Sequence, residues 1–466
     1  MLIIKTSPAY ERELNYAFET VINYIMGLDY KIKYEDRDDI EIIINESDKK
    51  LFVSNVFFKN SQWDWLKPSS LPKQPLPKWI VDNKLKEQAK LVSNEIPVIY
   101  GCETAPGSYM RIDDNSIHLG IDIFGSAFFM LTRYEEYVKP ERDQHDRFPA
   151  TASLAYKEGF LDRPVINEYL EILWYCIKRL WPGLERKKRN FRTILTHDVD
   201  VPFNHAFTGL PQLIRSCGGD LLKRRDLFLA VRRAKSWQAV KRGDYRQDIS
   251  YTFDRIMDIS EKNSLKSAFY FKTACTDPNY DHNYSIEHKW IRQLLRDIYQ
   301  RGHEIGIHPS YNTYQDNKQI KLEFERLLKV CEEEGIKQET WGGRQHYLRW
   351  KTPLTWRIWN EAGIDYDSTL SYANHAGFRC GICYEFPVYD LEQRQKLRLV
   401  ERPLIVMEGS VLGEQYMNLE YEDALQYMKK LKERCKRYAG DFVLLWHNSS
   451  FATKKDYDLY EFLVGA

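Results

Sequence analysis

From residue 190 onward, strand-type and helix-type segments alternate along the chain, and this alternation restricts the fold more than any other feature. Short apolar runs rich in β-branched and aromatic residues are followed by longer segments with helical spacing. The predicted strands are 194–198, 267–273, 303–308 and 442–446, and the predicted helices are 286–301, 318–334, 354–363 and 421–438. Repeated βα units favour an α/β fold built as a parallel barrel.

The first 185 residues have a different pattern. A helix is predicted from about 8 to 26, strands at 40–44 and 50–58, and a second helix at 167–180. The charged run 185–190 follows and is the best candidate for a boundary. With 466 residues, two domains are expected. We predict a mixed α+β N-terminal domain of unknown role over 1–185 and a barrel domain over 190–466.

Composition favours a soluble enzyme over several other classes. Lys and Arg number 68 against 67 Asp and Glu, so no whole-chain field attracts nucleic acid. No apolar run approaches twenty residues, so no membrane span is expected. The N-terminus reaches charged residues too early for a secretory segment. The eight cysteines are scattered apart from Cys380 and Cys383, which indicates reduced thiols and a cytoplasmic location.

Two carboxylates stand at the end of the first predicted strand of the second domain. In Ile194 to Asp200, side chains alternate, so Asp198 and Asp200 face one side while His197 and Val199 face the other. Two neighbouring carboxylates repel each other and are usually retained for a metal or a proton transfer. A solvated acidic turn is the ordinary alternative.

Further reactive side chains follow at later predicted strand ends. His308 precedes Pro309 and is the better candidate of its segment, since His303 faces the opposite side of the strand. Arg344 lies among glycines after a long helix, and His447 ends an apolar strand. Each has an ordinary structural explanation alone. Their joint order at strand ends favours a functional site.

With these motifs the chain resembles the polysaccharide deacetylase superfamily, carbohydrate esterase family four. More closely, it resembles bacterial two-domain members with an uncharacterised N-terminal domain. The resemblance covers about residues 190–450 and implies an irregular (β/α)7 barrel. The segments that carry it are Thr196-His197-Asp198-Val199-Asp200, His308 to Asn312, Arg344-Gln345-His346-Tyr347 and Leu445-Trp446-His447.

The residue types and the resemblance together imply a metal-dependent hydrolase. A divalent metal, zinc or else cobalt or nickel, would be held by oxygen and nitrogen ligands. The implied roles are metal ligation by Asp200 and His308, general base for Asp198, a partner of that base for Arg344, general acid for His447, and oxyanion binding by the backbone N–H of Tyr347.

The metal motif departs from the family pattern at one position. The second metal histidine of the family falls four residues after the first, and Asn312 occupies that place here. Either Asn312 is a weaker ligand, or His346 or His197 substitutes, or the site has decayed. Survival of the base, the Arg and the acid argues against decay. Asp367, in a partly altered fourth motif, is a candidate orienting residue.

An insertion over about 204–250 separates the first two barrel strands. Its basic residues far outnumber its acidic ones and are interleaved with leucine, phenylalanine and tryptophan. The pattern fits weak contact with an anionic membrane surface. It equally fits a solvated helix packed on the barrel, which is the interpretation we favour at this stage.

The sequence therefore predicts removal of N-acetyl groups from an amino sugar in a polysaccharide, oligosaccharide or glycan precursor. The expected partner is the N-acetylated saccharide, with no nucleic acid. Three alternatives stay open. They are an amidohydrolase acting on a non-sugar C–N bond, a catalytically weakened carbohydrate-binding relative, and a scaffold role of the N-terminal domain.

Overall fold

The computed structural model describes residues 1–205, 208–281, 284–451 and 453–465. Contacts divide the chain into two compact units. The first comprises Met1–Arg192 and Tyr347–Val443, and the second comprises Thr193–His346 and Leu444–Ala466. The sequence pattern predicts one domain over 190–466, whereas contacts group 347–443 with the N-terminal residues. Residues 206 and 207 of the predicted insertion, and the terminal residue 466, lie outside the described residues.

A mixed six-stranded sheet forms the N-terminal part of the first unit. Its order is β2-β1-β3-β4-β8-β7, with β1–β2 and β4–β8 parallel and the remaining neighbours antiparallel. A separate antiparallel pair joins β5 and β6. These strands are β1 Leu2–Thr6, β2 Tyr30–Tyr34, β3 Asp39–Ile44, β4 Lys50–Ser54, β5 Lys78–Ile80, β6 Glu95–Pro97, β7 Met110–Ile112 and β8 Ser116–Leu119.

Six α-helices accompany these strands. They are α1 Glu11–Phe18, α2 Asn83–Gln88, α3 Ile123–Leu131, α4 Tyr134–Val138, α5 Leu154–Lys157 and α6 Val165–Leu180. Every residue of α3 is buried, as expected for a helix that is apolar on all sides. The helix predicted over 8–26 begins later, at Glu11, and continues from Glu19 to Ile25 as a π-helix. The predicted strand 50–58 ends at Ser54, and a 3₁₀ turn Phe57–Lys59 follows.

Parallel strands form the centre of the second unit. They are β9 Arg192–Val199, β10 Ser267–Phe271, β11 Glu304–Ile307 and β12 Gly342–Gly343, in the order β12-β11-β10-β9. Their pairing is parallel throughout, with Tyr270 opposite Asp198 and Ile307 opposite Gly343. Every residue of β10 is buried, as expected for a strand that is covered on both faces. The predicted strands at 194–198, 267–273 and 303–308 are confirmed.

The second unit has five α-helices before residue 347 among the described residues, and the first two of them belong to the insertion. They are α7 Leu210–Leu222, α8 Leu227–Lys241, α9 Phe253–Lys262, α10 Lys289–Gln300 and α11 Asn317–Glu333. Helix α10 buries Ile291, Leu294, Leu295 and Ile298, the i, i+3, i+4, i+7 stripe of an amphipathic helix. The carboxylate of Asp316 caps α11 by accepting from the N–H groups of Lys318 and Gln319.

The remaining elements run from residue 347 to the end. They are α12 Leu354–Glu361, β13 Tyr366–Asp367, β14 Phe386–Asp390, β15 Gln395–Glu401, β16 Val406–Met407, α13 Glu408–Leu412, α14 Tyr421–Arg437, β17 Asp441–Leu445 and α15 Lys454–Gly465. In the first unit β15 pairs with β13 in parallel and with β14 in antiparallel. The end of β17 enters the second unit, where the N–H of Trp446 donates to the Thr196 carbonyl of β9 at 3.1 Å.

The structure is thus a mixed α/β protein whose second unit contains successive parallel strands. Closure of these strands into a (β/α)7 barrel stays a prediction. Among the described residues, no helix combines the length and apolar character needed to cross a lipid bilayer.

Candidate metal centre

Reactive side chains collect where the parallel strands of the second unit end. Asp198 is the next-to-last residue of β9 and Asp200 lies just beyond the strand, and His308 directly follows β11. Arg344 directly follows β12, and His447 comes two residues after β17. Because parallel strands end on the same side of a sheet, side chains distant in sequence converge there.

Three of these side chains form a group that could hold a metal ion. One ligand atom each from Asp200, His308 and His346 lies within 4.8 Å of the others. The Nε2 atoms of His346 and His308 are 3.3 Å and 3.6 Å from Oδ1 of Asp200. Both imidazoles are buried. One carboxylate with two imidazoles is a ligand set that suits zinc, and also cobalt or nickel.

His308 is oriented for ligation by the backbone carbonyl of Arg344. Its Nδ1 is 2.6 Å from the Arg344 carbonyl, which can only accept, so Nδ1 carries the proton. The Nε2 atom therefore has a free lone pair, and this buried atom has no hydrogen-bond partner among the described residues. A buried polar atom without a partner is costly unless something binds it. The donors thus fit a metal ion.

His346 is held by a carboxylate on the other side of its ring. Its Nδ1 lies 2.8 Å from Oδ1 of the buried Asp281. Burial alone would lower the pKa of His346, but Asp200 and Asp281 outweigh it and raise the pKa. A carboxylate behind a metal-binding imidazole fixes the ring and makes it a better donor.

The base candidate Asp198 is paired as the sequence analysis predicted. Nη1 of Arg344 donates to its Oδ1 at 2.9 Å, and both side chains are buried. The Arg344 guanidinium also lies 5.2 Å from the centre of the Tyr270 ring. Burial alone would raise the pKa of Asp198, but the charge of Arg344 and the nearby histidines lower it below its usual value. Asp198 is therefore an ionised carboxylate at neutral pH.

His447 lies on the solvent side of this group. Its Nε2 is 3.8 Å from Oδ2 of Asp200, and about a fifth of its side chain, 22%, is exposed. An imidazole in this position can meet both a substrate and the groups of the site. This is the access that a proton donor needs.

Two residues of the site were missed by the sequence analysis. Lys272 is buried directly after β10, and its Nζ lies 3.2 Å from Oδ1 of Asp200. Burial would raise the pKa of Asp200, yet Lys272 and His346 hold it well below its usual value. The strand-end rule that selected His308 also selects Lys272. Asp281 lies in an irregular loop that gives no periodic signal.

Two predicted residues, Asn312 and His197, are placed outside the group. The side chain of Asn312 is exposed, and its Nδ2 donates to the Thr276 carbonyl at 3.3 Å. His346 takes the place beside Asp200 and His308 that Asn312 was first expected to fill. His197 points to the other side of β9. There its Nδ1 donates to the Trp446 carbonyl at 2.7 Å, and its Nε2 lies 3.1 Å from Oγ of Ser267.

Asp367 and Tyr347 belong to the first unit. Asp367 is buried, and its Oδ1 accepts from the backbone N–H of Thr369 at 2.9 Å and from the Thr369 hydroxyl. Tyr347 follows His346 in the chain and adopts a left-handed backbone with φ of 60°. Its carbonyl accepts from Nη1 of Arg147 at 2.9 Å. The orienting role of Asp367 and the oxyanion role of the Tyr347 N–H stay predictions.

Comparison with known proteins adds a family match for the N-terminal part. Residues 2–182 match a family of unknown function, DUF7033. No curated protein matches the chain.

Three solved structures are similar to the chain at a low level. A candidate polysaccharide deacetylase from Mycobacterium smegmatis is 14% identical, covers 60% of this chain and 84% of its own, and has a TM-score of 0.38. Puue allantoinase is 11% identical, covering 61% and 85%, with a TM-score of 0.35. A probable polysaccharide deacetylase from Pseudomonas aeruginosa PAO1 is 13% identical, covering 67% and 90%, with a TM-score of 0.35. At these scores, the side-chain geometry is the better guide to function.

Proposed function

We propose that the chain is a divalent-metal-dependent hydrolase that cleaves an amide C–N bond. The observation that supports this is the convergence of Asp200, His308 and His346 beside the Asp198–Arg344 pair. Zinc is the proposed metal, with cobalt or nickel as alternatives. A metal held by these three residues would polarise the scissile carbonyl and make water a better nucleophile.

Asp198 takes the part of general base in this proposal. Its carboxylate accepts a proton from the attacking water as the oxygen of that water bonds to the acyl carbon. Arg344 supports this role in two ways, since it keeps Asp198 ionised and fixes the direction of the carboxylate. The His308 Nε2 atom lies 3.8 Å from Oδ2 of Asp198, so base and ligand adjoin one another.

His447 takes the part of general acid. It gives its proton to the amide nitrogen as the C–N bond breaks, because an amine leaves poorly without one. The products are a carboxylic acid and a free amine. The backbone N–H of Tyr347 is proposed to bind the developing oxyanion, as the resemblance implies.

The proposed substrate is an N-acetylated amino sugar in a saccharide or a glycan precursor. The order of the motifs around Asp198, His308, Arg344 and His447 supports this choice. An amidohydrolase acting on a non-sugar C–N bond would use the same side chains. A binding relative without catalysis would release no acetate.

The proposal is tested by loading the purified protein with zinc, cobalt or nickel and measuring acetate release from N-acetylated oligosaccharides. Release that depends on the metal and disappears in Asp198→Asn would support it. Asp198→Asn should keep its metal, because the three proposed ligands are unchanged. Metal-dependent cleavage of non-sugar amides without acetate release would show that the substrate is a non-sugar amide and not an N-acetylated saccharide. If the metal-loaded protein cleaves neither set of substrates, the proposed hydrolase function is wrong.

A further inference from the structure

The α7–α8 hairpin exposes an unusual amount of apolar surface. Fifteen large apolar side chains are exposed among the described residues, and seven of them lie between residues 210 and 231. They are Leu210, Ile214, Leu221, Leu222, Leu227, Phe228 and Val231. Scattered exposed apolar residues are normal, whereas a concentration of this kind marks an interaction surface.

The most exposed of these residues lie at the turn between the two helices. Leu222 is 84% exposed, Leu227 66% and Phe228 79%. They flank the connecting segment 223–226, which begins with Lys223, Arg224 and Arg225. We call Leu222, Leu227 and Phe228 the hairpin tip. Leaving such side chains in water forgoes the free energy of their burial.

The charges around the tip are strongly one-sided. Residues 210–241 contain eight Lys and Arg and two Asp. One of the two, Asp220, is buried and accepts from Arg224 at 2.5 Å and Arg233 at 2.7 Å. The exposed cations Lys223 and Arg225 lie in the connecting segment, and Arg232 and Lys235 follow on α8, with Asp226 as the one exposed acid of 210–241.

The hairpin is held in place at both ends. Asp220 of α7 accepts from Arg224 in the connecting segment and from Arg233 of α8. At the base, the Asp248 carboxylate accepts from the N–H groups of Asn204 at 2.9 Å and His205 at 2.7 Å. These bonds present the tip as a formed element, since they close both the turn and the base of the insertion.

We propose that the hairpin tip binds the surface of an anionic lipid bilayer. Apolar side chains ringed by Lys and Arg match the acyl boundary and the negative headgroups of such a surface. A second copy of the chain would bring like charges together, which opposes pairing of two tips. Nucleic acid would attract the cations and leave the apolar side chains in water.

This proposal is independent of the hydrolase activity, but it adds a consequence. The insertion begins a few residues after Asp200. It therefore starts at the end of β9 where the candidate metal centre lies. An enzyme docked in this way would act on a saccharide presented at the membrane surface.

The test is sedimentation of the protein with vesicles. Equimolar phosphatidylcholine and phosphatidylglycerol provide the anionic surface, and pure phosphatidylcholine provides the neutral one. The triple variant Leu222→Ser, Leu227→Ser and Phe228→Ser should lower the partition onto anionic vesicles by at least about tenfold. Lys223→Gln with Arg225→Gln should lower it by about fivefold per charge at low salt.

A matched triple variant controls for general loss of apolar surface. Trp63, Ile80 and Leu322 are exposed to a similar degree outside the hairpin, so their replacement by Ser should leave vesicle binding unchanged. All replaced side chains are exposed, and thermal unfolding should show that each variant folds.

Three results would overturn the proposal. They are no wild-type binding to anionic vesicles, equal binding of the tip variant, and binding that does not weaken with salt or on neutral vesicles. Self-association that the tip variant abolishes, without vesicle binding, would assign the surface to a second copy. None of these measurements uses activity, so failure of the hydrolase proposal would leave them unaffected.

Discussion

Oδ1 of Asp281 lies 2.8 Å from Nδ1 of His346, while Nε2 of the same ring lies 3.3 Å from Asp200. The ring therefore has one nitrogen committed to a carboxylate and the other turned to the candidate metal centre. Asp281 is fixed in turn by the N–H groups of Thr276 at 2.9 Å and Tyr311 at 3.0 Å. A loop carboxylate thereby sets the direction of a ligand that follows β12.

The Asp281 contact predicts a loss of metal affinity without loss of the ligands. Asp281→Asn should weaken metal binding by about ten- to a hundredfold, because the orienting charge behind His346 is removed. The measurement is competition with a chelating dye. Asp277→Asn is the control in the same loop, where the carboxylate accepts from the Asn279 N–H at 2.9 Å. Equal affinity in the two variants would remove Asp281 from this role.

A structural effect of Asp281→Asn is separable from a positioning effect. Burial alone would raise the pKa of Asp281, but its hydrogen bonds and the charge of His346 lower this pKa to about 2. The native state therefore favours the carboxylate. The ionised Asp281 carboxylate contributes folding stability at pH values above about 3.9, the pKa of Asp in the unfolded chain. This contribution is lost as the pH falls towards about 2. Thermal unfolding of the metal-free protein measures the loss of stability caused by Asp281→Asn. If Asp281 also positions His346, the variant should lose additional stability relative to wild type when metal is present.

The identity of the third ligand gives a second prediction. His346→Ala should abolish stoichiometric metal binding, since it removes one of three donors from the group. Asn312→Ala should retain the metal, because the Asn312 side chain is exposed and its amide contacts the Thr276 carbonyl. Metal content measured by mass spectrometry after mild chelation distinguishes them. Retention by His346→Ala with loss by Asn312→Ala would restore the ligand first expected from the motif spacing.

Lys272 would compete with the proposed metal ion for Asp200. Its ammonium lies 3.2 Å from Oδ1 of Asp200 and would repel a dication bound there. Lys272→Met should therefore tighten metal binding, by about tenfold or more in this buried setting. Lys266→Met is the control, since Lys266 is exposed just before the same strand. Weaker binding in Lys272→Met, measured by chelator competition, would mean that Lys272 supports the metal centre.

The contact between Arg344 and Asp198 should determine how activity decreases at low pH, the acid limb of the profile of kcat/KM against pH. A base works only when ionised, so activity should fall as the pH falls through the lowered pKa of Asp198. Arg344→Gln removes the main charge that lowers this pKa, and the limb should move to higher pH. Arg344→Lys keeps a positive charge beside Asp198 and should move the acid limb less than Arg344→Gln does. The measurement is kcat/KM against pH, and an unmoved limb in Arg344→Gln would contradict the assignment.

Much of the second unit was predictable because its signals are local. Period-two alternation placed Asp198 and Asp200 on one side of β9 and His197 on the other, and the structure agrees. Ile307 and Gly343 pair across β11 and β12, which brings the predicted His308 and Arg344 together. Strand ends therefore carried most of the information on the site.

The remainder depends on long-range contacts. The grouping of 347–443 with the N-terminal residues follows from packing that no local pattern encodes. His346, and not Asn312, lies beside Asp200 and His308, and its contact with the loop carboxylate Asp281 leaves no trace in the motif spacing. Lys272 was missed for another reason. It lies at the end of a predicted strand, but a lysine is not a usual metal ligand or general base and so gave no signal there.

His447 gives the last prediction, a difference between two substrates. An amide needs a proton on its nitrogen before the C–N bond breaks, whereas an activated ester has a leaving group that departs as an anion. His447→Ala should therefore reduce amide hydrolysis by about a hundredfold or more and largely spare ester hydrolysis. Asp198→Asn is the matched comparison, because attack by water requires the base with either substrate. The measurement is kcat/KM on both substrates with metal content held equal, and equal losses in His447→Ala would show that His447 acts before the leaving group departs.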